Sequence, residues 1–203
     1  MTGWSSITPY AFGGQEAFRH TDAGGMVSVT PGARPAFGYD INAAGDVTGE
    51  YEYEAFRTVG TTIEILSEGL EGNAAGEDIN ASGQVALTQE NPDEHDAWRW
   101  SPGVGLEDLG LASEDERIFA HAINTAGDVV GKGSPAASAD IAAGFVFSDG
   151  LGSINLNELL TGPGVQKWFI AEAWDINDAG QIVADALNLR TGKHQAVRLD
   201  PVP

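Results

Sequence analysis

Tyr39, Glu77, His121 and Trp174 hold one shared position in a short pattern that the chain repeats four times. Tyr39 precedes Asp40-Ile41-Asn42, Glu77 precedes Asp78-Ile79-Asn80, His121 precedes Ala122-Ile123-Asn124, and Trp174 precedes Asp175-Ile176-Asn177. The neighbours stay small or apolar while this one residue changes chemistry in every copy. Two aromatic rings, a carboxylate and an imidazole are groups that grip a sugar or another small polar ligand. The same set could serve a lyase or hydrolase, with His121 and Glu77 as acid and base and Tyr39 as a positioning group. Ordinary solvent-facing strand residues would vary in the same way, so the geometry of the site decides between these readings.

Other candidate chemistry is thinner. Asp-x-Asn-x-x-Gly, as in Asp40 to Gly45, looks like the first half of a calcium-binding EF-hand loop. The rest of that loop is missing: position five would be Ala44, Ser82 or Ala179, and position twelve Tyr51, Gln89 or Ala186. No copy supplies the bidentate Glu that such a site needs. A looser carbonyl-and-Asp calcium site is the one cofactor the pattern leaves open, and no other metal or cofactor is expected. His95, with Asp93, Glu94 and Asp96 beside it, and His194 each sit three residues before the centre of an aromatic strand. A surface metal site there is conceivable chemistry, but a solvated acidic loop is the simpler reading. The chain has no His-Glu-x-x-His, P-loop, Gly-x-Ser-x-Gly or Gly-x-Gly-x-x-Gly motif. Carboxylates are abundant, yet no spacing singles out a glycosidase pair.

What must position these residues is the pattern itself, Ile-Asn-x-x-Gly-x-(Val/Ile). Its asparagines, Asn42, Asn80, Asn124 and Asn177, lie 38, 44 and 53 residues apart. Periods of that size mark a repeat architecture. The Asn should accept a backbone N–H two residues on, and the Gly should supply the positive φ that closes a hairpin. The flanking Ile and Val should face the core. Asp40, Asp78 and Asp175 share a position, and their units carry Arg57, Arg99 and Arg198. The third unit has Ala122 and Val146 instead, so both charges vanish together. That joint loss predicts an Asp–Arg bridge within each of the other three units.

Each unit contains about four short strands. After Ala36–Ile41 and its turn come a return strand, an aromatic strand at Glu54-Ala55-Phe56-Arg57, and the alternation Thr61 to Leu66. The aromatic strand recurs five times, centred on Phe18, Phe56, Trp98, Phe145 and Val197. A four-stranded unit of about 40 residues is the size of a propeller blade. The expected fold is therefore all-β: one domain over 1–203, a β-propeller with five blades closed by the two termini. The units are 1–35 (partial), 36–73, 74–117, 118–167 and 168–203. A long β-sandwich or an open β-solenoid is the competing architecture.

Composition narrows the partners. At 203 residues and 42% hydrophobic, the chain can bury one sizeable core. Thirty acidic residues against ten basic ones leave a net charge of −20, which disfavours nucleic acid and anionic membranes. Such acidity suits solubility, a salty medium, or a cationic partner. No apolar run is long enough to span a bilayer. Cysteine is absent, so disulfide and thiolate chemistry are excluded. Met1 to Ser6 shows neither a basic nor an apolar leader segment.

The units resemble the HAF-type "extracellular repeat". Its pattern reads Ala-x-x-Ile-Asn-x-x-Gly-x-Val-Val-Gly, a spacer, Ala-Phe-x-Trp, then Gly-x-x-x-Asp-Leu-Gly. Ala120 to Gly131 matches the first part, and Ala97-Trp98-Arg99-Trp100 with Leu106 to Gly110 the second. The likeness runs from residue 16 onward, with a long third unit and Val197 in place of an aromatic as departures. It implies a propeller-like repeat of an exported or cell-surface protein, with a cytoplasmic location as the alternative, and supplies no catalytic residues. The expected function is a non-catalytic binding module for a small polar ligand, carbohydrate or protein at one face. A small propeller enzyme is the alternative, and a purely structural repeat the third reading.

Overall fold

In a computed structural model, residues 1–6, 14–32, 35–91, 95–110, 117–133 and 142–202 are described. Asp93 and Glu94 fall outside them. The chain is all-β and folds into five separate antiparallel sheets that follow one another along the sequence. Sheet 1 holds β1 (Thr2–Ser6), β2 (Gln15–Thr21) and β3 (Gly25–Ser28). Sheet 2 holds β4 (Ala36–Ile41), β5 (Val47–Tyr51), β6 (Glu54–Val59) and β7 (Thr62–Ile65). Sheet 3 holds β8 (Asn73–Ile79), β9 (Val85–Glu90), β10 (His95–Ser101) and β11 (Gly105–Asp108). Sheet 4 holds β12 (Phe119–Ile123), β13 (Val129–Gly133), β14 (Ala143–Ser148) and β15 (Gly152–Asn155). Sheet 5 holds β16 (Trp168–Ile176), β17 (Ile182–Asn188) and β18 (Lys193–Leu199). A four-residue helix α1 (Leu156–Leu159) and a 3-10 turn at Val165–Lys167 connect the last two sheets.

Every sheet is a meander of neighbours in sequence, as tight turns between short alternating strands dictate. Five separate sheets rule out a two-layer sandwich. They stack in order, with one apolar cluster between each consecutive pair. Ala17 meets Ala36, Val47 and Phe56; Leu66 meets Val85, Leu87 and Trp100; Leu109 meets Val129, Phe145 and Phe147; Leu156 meets Ile170, Ile176 and Ile182. At the last three interfaces the leucine that ends one unit thus fills the face of the next.

Registers show which strands are missing. Thr2 pairs with Arg19 as Thr48 pairs with Arg57, so β1 is the counterpart of β5. Among the described residues, sheet 1 therefore has no counterpart of the first strand and sheet 5 none of the fourth. Strand β1 was not foreseen from the sequence, because Gly3, Ser5 and Ser6 carry no apolar alternation. Each terminal sheet is built from its own end of the chain, and no strand joins the two among the described residues.

The repeated turn forms as its chemistry requires. Asn80 Oδ1 accepts the N–H groups of Ser82 and Gln84, both at 3.0 Å, and Gly83 adopts φ 75°. Asn42 and Asn177 make the same pair of bonds. Close stacking also needs a missing side chain at Gly76, where an added Cβ would lie 2.1 Å from Thr48 Oγ1 of the preceding sheet.

The Asp–Arg bridge within a unit is not what these residues make. Asp40 Oδ2 accepts the N–H of Ile79 at 3.2 Å, and Asp78 Oδ2 that of Ile123 at 2.8 Å. Arg57 and Arg99 donate to the Gly83 and Gly127 carbonyls at 2.9 and 2.8 Å. Each group reaches forward to the next sheet, where main-chain groups at the turn need partners. Asp175 and Arg198 belong to the last sheet and stay local, with Asp175 on its neighbour's N–H and Arg198 on Asp200. The joint loss in the third unit has a matching cause. Ala122 packs in, and Val146 packs against, the apolar cluster between sheets 4 and 5, where forward-reaching charges would be stranded.

Candidate functional site

The four variable residues share a backbone feature as well as a sequence position. The β4–β5 register shifts between Gly38 and Asp40, and the β8–β9 register between Gly76 and Asp78. It shifts again between Ala120 and Ala122 and between Ala173 and Asp175. Tyr39, Glu77, His121 and Trp174 are each the extra residue of a β-bulge. A bulge re-aims one side chain without disturbing the alternation on either side. The Ile of each turn therefore still faces the core while the bulged residue is released from it. Tyr39 and Trp174 are 43% and 52% exposed, and Glu77 and His121 are half-buried.

The structure gathers them in two pairs. Tyr39 and Glu77 belong to an acidic cluster with Glu50 of β5 and Glu90 of β9. The Tyr39 hydroxyl donates to Glu50 Oε2 at 3.3 Å. Burial pushes the Glu77 carboxyl up to about 7, with the negative charges of Glu90 and Glu50 adding to the effect. Burial, then the charges of Glu50 and Glu77, also holds the Tyr39 phenol above its ordinary range. Near neutrality this cluster can both donate and accept protons and hydrogen bonds.

The second pair is His121 and Trp174. Their rings stack with centroids 4.9 Å apart and planes 13° from parallel. His121 Nε2 lies 3.0 Å from Glu172 Oε1, and Lys132 Nζ lies 3.6 Å from the other oxygen of Glu172. Glu172 is thus flanked by an imidazole and an ammonium. Sequence comparison missed Glu172, although it stands two residues before Trp174, on the same side of the strand. The corresponding residues in the other copies are Phe37, Ala75 and Phe119, so a second varying position was there to be read. No hydrogen bond joins Glu77 to His121 among the described residues. The carboxylate partner of His121 is Glu172.

The remaining candidates lie elsewhere. The His95 ring packs on Phe119 with centroids 4.7 Å apart, which makes it part of a sheet contact. His194 Nδ1 pairs with Asp185 at 2.6 Å on sheet 5. Among the described residues, no three His, Asp or Glu side chains converge as a metal site. No described helix is long and apolar enough to cross a membrane.

No protein-family model matches the chain, and no curated protein matches it. Among solved structures, TolB from Acinetobacter baumannii, a β-propeller protein, matches 96% of this chain with a TM-score of 0.53 at 11% identity. The chain spans about half of that structure, 52% of its length. At this identity the likeness is one of fold alone.

Proposed function

We propose that the chain is a β-propeller-type module of HAF-like repeats, five blades in all, that binds a neutral carbohydrate or similar small polar ligand on the face carrying the bulged residues. The observation that carries this reading is that all four variable residues are bulge residues. A shared scaffold that releases a side chain at the same place in four repeats, and changes its chemistry each time, is a device for presenting a site. Trp174 backed by His121 offers a flat ring for a sugar face, and Glu77, Glu50 and Tyr39 offer paired donors and acceptors for hydroxyls. The net charge of −20 argues against an anionic ligand. Export to the cell surface follows from the same resemblance.

The test is calorimetry of the full chain against a panel of neutral oligosaccharides. The proposal expects Trp174→Ala and Glu77→Gln each to weaken the best ligand at least ~10-fold, the loss of one good stacking or polar contact. Binding indifferent to both substitutions would sink it. The second reading, a small lyase or hydrolase, draws on one observation, the Glu77 carboxyl near 7, where a general acid–base group works well. Its signature is turnover that disappears in Glu77→Gln while ligand still binds.

A further inference from the structure

Ile170, Ala173 and Ile176 of β16 are all buried in the cluster between sheets 4 and 5, yet they stand three residues apart. A regular strand puts alternate residues on one face, so each interval needs an extra residue. The register supplies both, with shifts between Ile170 and Glu172 and between Ala173 and Asp175. Trp174 is the second extra residue and has counterparts in the other repeats. Ala171 is the first and has none, because β4, β8 and β12 each shift once. The added bulge comes together with a carboxylate, Glu172, where those strands hold Phe37, Ala75 and Phe119. Bulges re-aim side chains, and this one delivers Glu172 to His121.

That contact fixes the imidazole. The Lys132 ammonium lies 3.6 Å from Glu172 Oε2, so Glu172 is a carboxylate and its Oε1 only accepts. His121 Nε2, 3.0 Å from Oε1, is therefore the nitrogen that carries the hydrogen. A neutral imidazole has one N–H, which leaves a lone pair on Nδ1. Trp174 covers one flat face of the ring, and Glu172 occupies its Nε2 edge. Among the described residues, the buried side-chain polar atoms without a partner are Ser28 Oγ and His95 Nδ1. His121 Nδ1 is not one of them and makes no hydrogen bond to a described residue, so it reaches the surface. His121 thus shows the bulged face an acceptor rather than a donor or a charge. A lone pair there attracts an O–H group and repels ether, carboxylate and phosphate oxygens.

We propose that His121 determines the specificity of the bulged face: its Nδ1 accepts a hydrogen bond from one free hydroxyl of the bound sugar. Glu172 is the positioning residue that keeps His121 an acceptor. The identity of the donor rests on the carbohydrate reading of that face, whereas the tautomer does not.

Two measurements on the full chain test this. The first is nitrogen NMR of isotope-labelled histidine at a pH where the imidazole is neutral, with His121→Gln assigning the signal. The proposal expects the proton on Nε2, and a proton on Nδ1 overturns it. The second is calorimetry with the neutral oligosaccharide panel, maltose, cellobiose and diacetylchitobiose included, and with the monodeoxy analogues of whichever binds best. His121→Gln places its amide near Nε2 and keeps the link to Glu172, while His121→Asn places its amide oxygen near Nδ1. His121→Gln should weaken binding at least ~10-fold and His121→Asn by no more than about threefold. One monodeoxy analogue should bind the parent as weakly as the intact sugar binds His121→Gln, and lose nothing further on that variant. Circular dichroism checks the fold of both variants, and the tautomer and the analogue series decide the matter on the parent alone. A purely structural histidine gives the reverse order, with Gln better than Asn. That order, or a parent indifferent to every deoxygenation, overturns the proposal and leaves the carbohydrate reading standing. A parent that binds no sugar of the panel overturns the carbohydrate reading and this proposal with it.

Discussion

The side-chain amide of Asn80 donates to the main-chain carbonyl of Asn124 at 2.9 Å, tying the turn of one sheet to the turn of the next. Asn42 does the same to Asn80 at 3.2 Å, and Asn124 to Asn177 at 3.4 Å. One side chain therefore shapes its own hairpin through Oδ1 and docks the neighbouring sheet through Nδ2. Asn80→Ala removes both functions at a buried site and leaves several main-chain groups unpaired. The expected loss is roughly 2–3 kcal/mol in urea unfolding. Among the described residues the Asn177 amide donates only within its own turn, to Gln181, and the residue is exposed, so Asn177→Ala should cost less than half as much. Equal losses at the two positions would show that the link between turns contributes nothing.

Arg99 makes a comparable bridge with charge. It is buried, donates to the Gly127 carbonyl, pairs with Glu107 at 2.6 Å and Asp149 at 2.5 Å, and lies over the Phe147 ring at 4.9 Å. Replacing it by Val, the residue the fourth sheet uses, leaves the Gly127 carbonyl without its buried donor and removes the ion pairs to the more exposed Glu107 and Asp149. We expect Arg99→Val to destabilise by about 3 kcal/mol. Lysine cannot reproduce the fork, so Arg99→Lys should recover only a minority of that loss. Arg198→Val, exposed and bound only within its own strand end, should shift the unfolding midpoint by little more than experimental error. A full recovery by lysine would contradict the geometric role assigned to the fork.

The acidic groups predict an unusual pH dependence. Glu77 is raised to about 7 chiefly by burial, and Asp78 to about 7 by burial and then by its hydrogen bond with Asp40. In the unfolded chain such groups titrate near ~4. The fold therefore favours their protonated forms. The stability they contribute is complete below about pH 4 and is lost as pH rises through 7. Thermal unfolding followed from pH 4.5 to 8 should show a falling midpoint. Glu77→Gln and Asp78→Asn should each flatten that fall, by on the order of 2 kcal/mol across the range. A midpoint that rises with pH, or variants that keep the wild-type slope, would refute the assignment.

The sequence disclosed the repeat because turn chemistry is local. Asn42 and Gly45 need only each other and the intervening backbone, and the same holds at Asn80, Asn124 and Asn177. Joint variation of Asp and Arg was visible too, but its meaning was not. The partners of Asp78 and Arg99 are the Ile123 N–H and the Gly127 carbonyl, main-chain groups whose identity no side chain records. The candidate site was legible in part for the same reason. Position 39 and its copies stood out by disagreeing, whereas the bulge that re-aims them and the contact of Glu172 with His121 arise from strand register. The contact of His121 with Glu172 also joins two sheets across 51 residues, beyond the reach of any local pattern.

Glu172 gives the most direct check on the site itself. It holds His121 at 3.0 Å, and His121 in turn lies flat against the exposed Trp174 ring. If Glu172 positions this stack, Glu172→Ala should release the imidazole and loosen the indole. The near-ultraviolet dichroism of the tryptophans should then weaken while the far-ultraviolet spectrum stays unchanged. Stability should fall by about 1 kcal/mol, the worth of one partly buried polar contact. Glu172→Gln keeps an acceptor for the ring N–H and should preserve most of the signal. Lys132→Ala removes a looser contact at 3.6 Å and should leave the stack intact. Carbohydrate affinity should follow the same order, with Glu172→Ala weakened several-fold and Lys132→Ala close to the parent. If Glu172→Ala leaves both the dichroism and the affinity untouched, the two rings stack without its help and Glu172 is no part of the site.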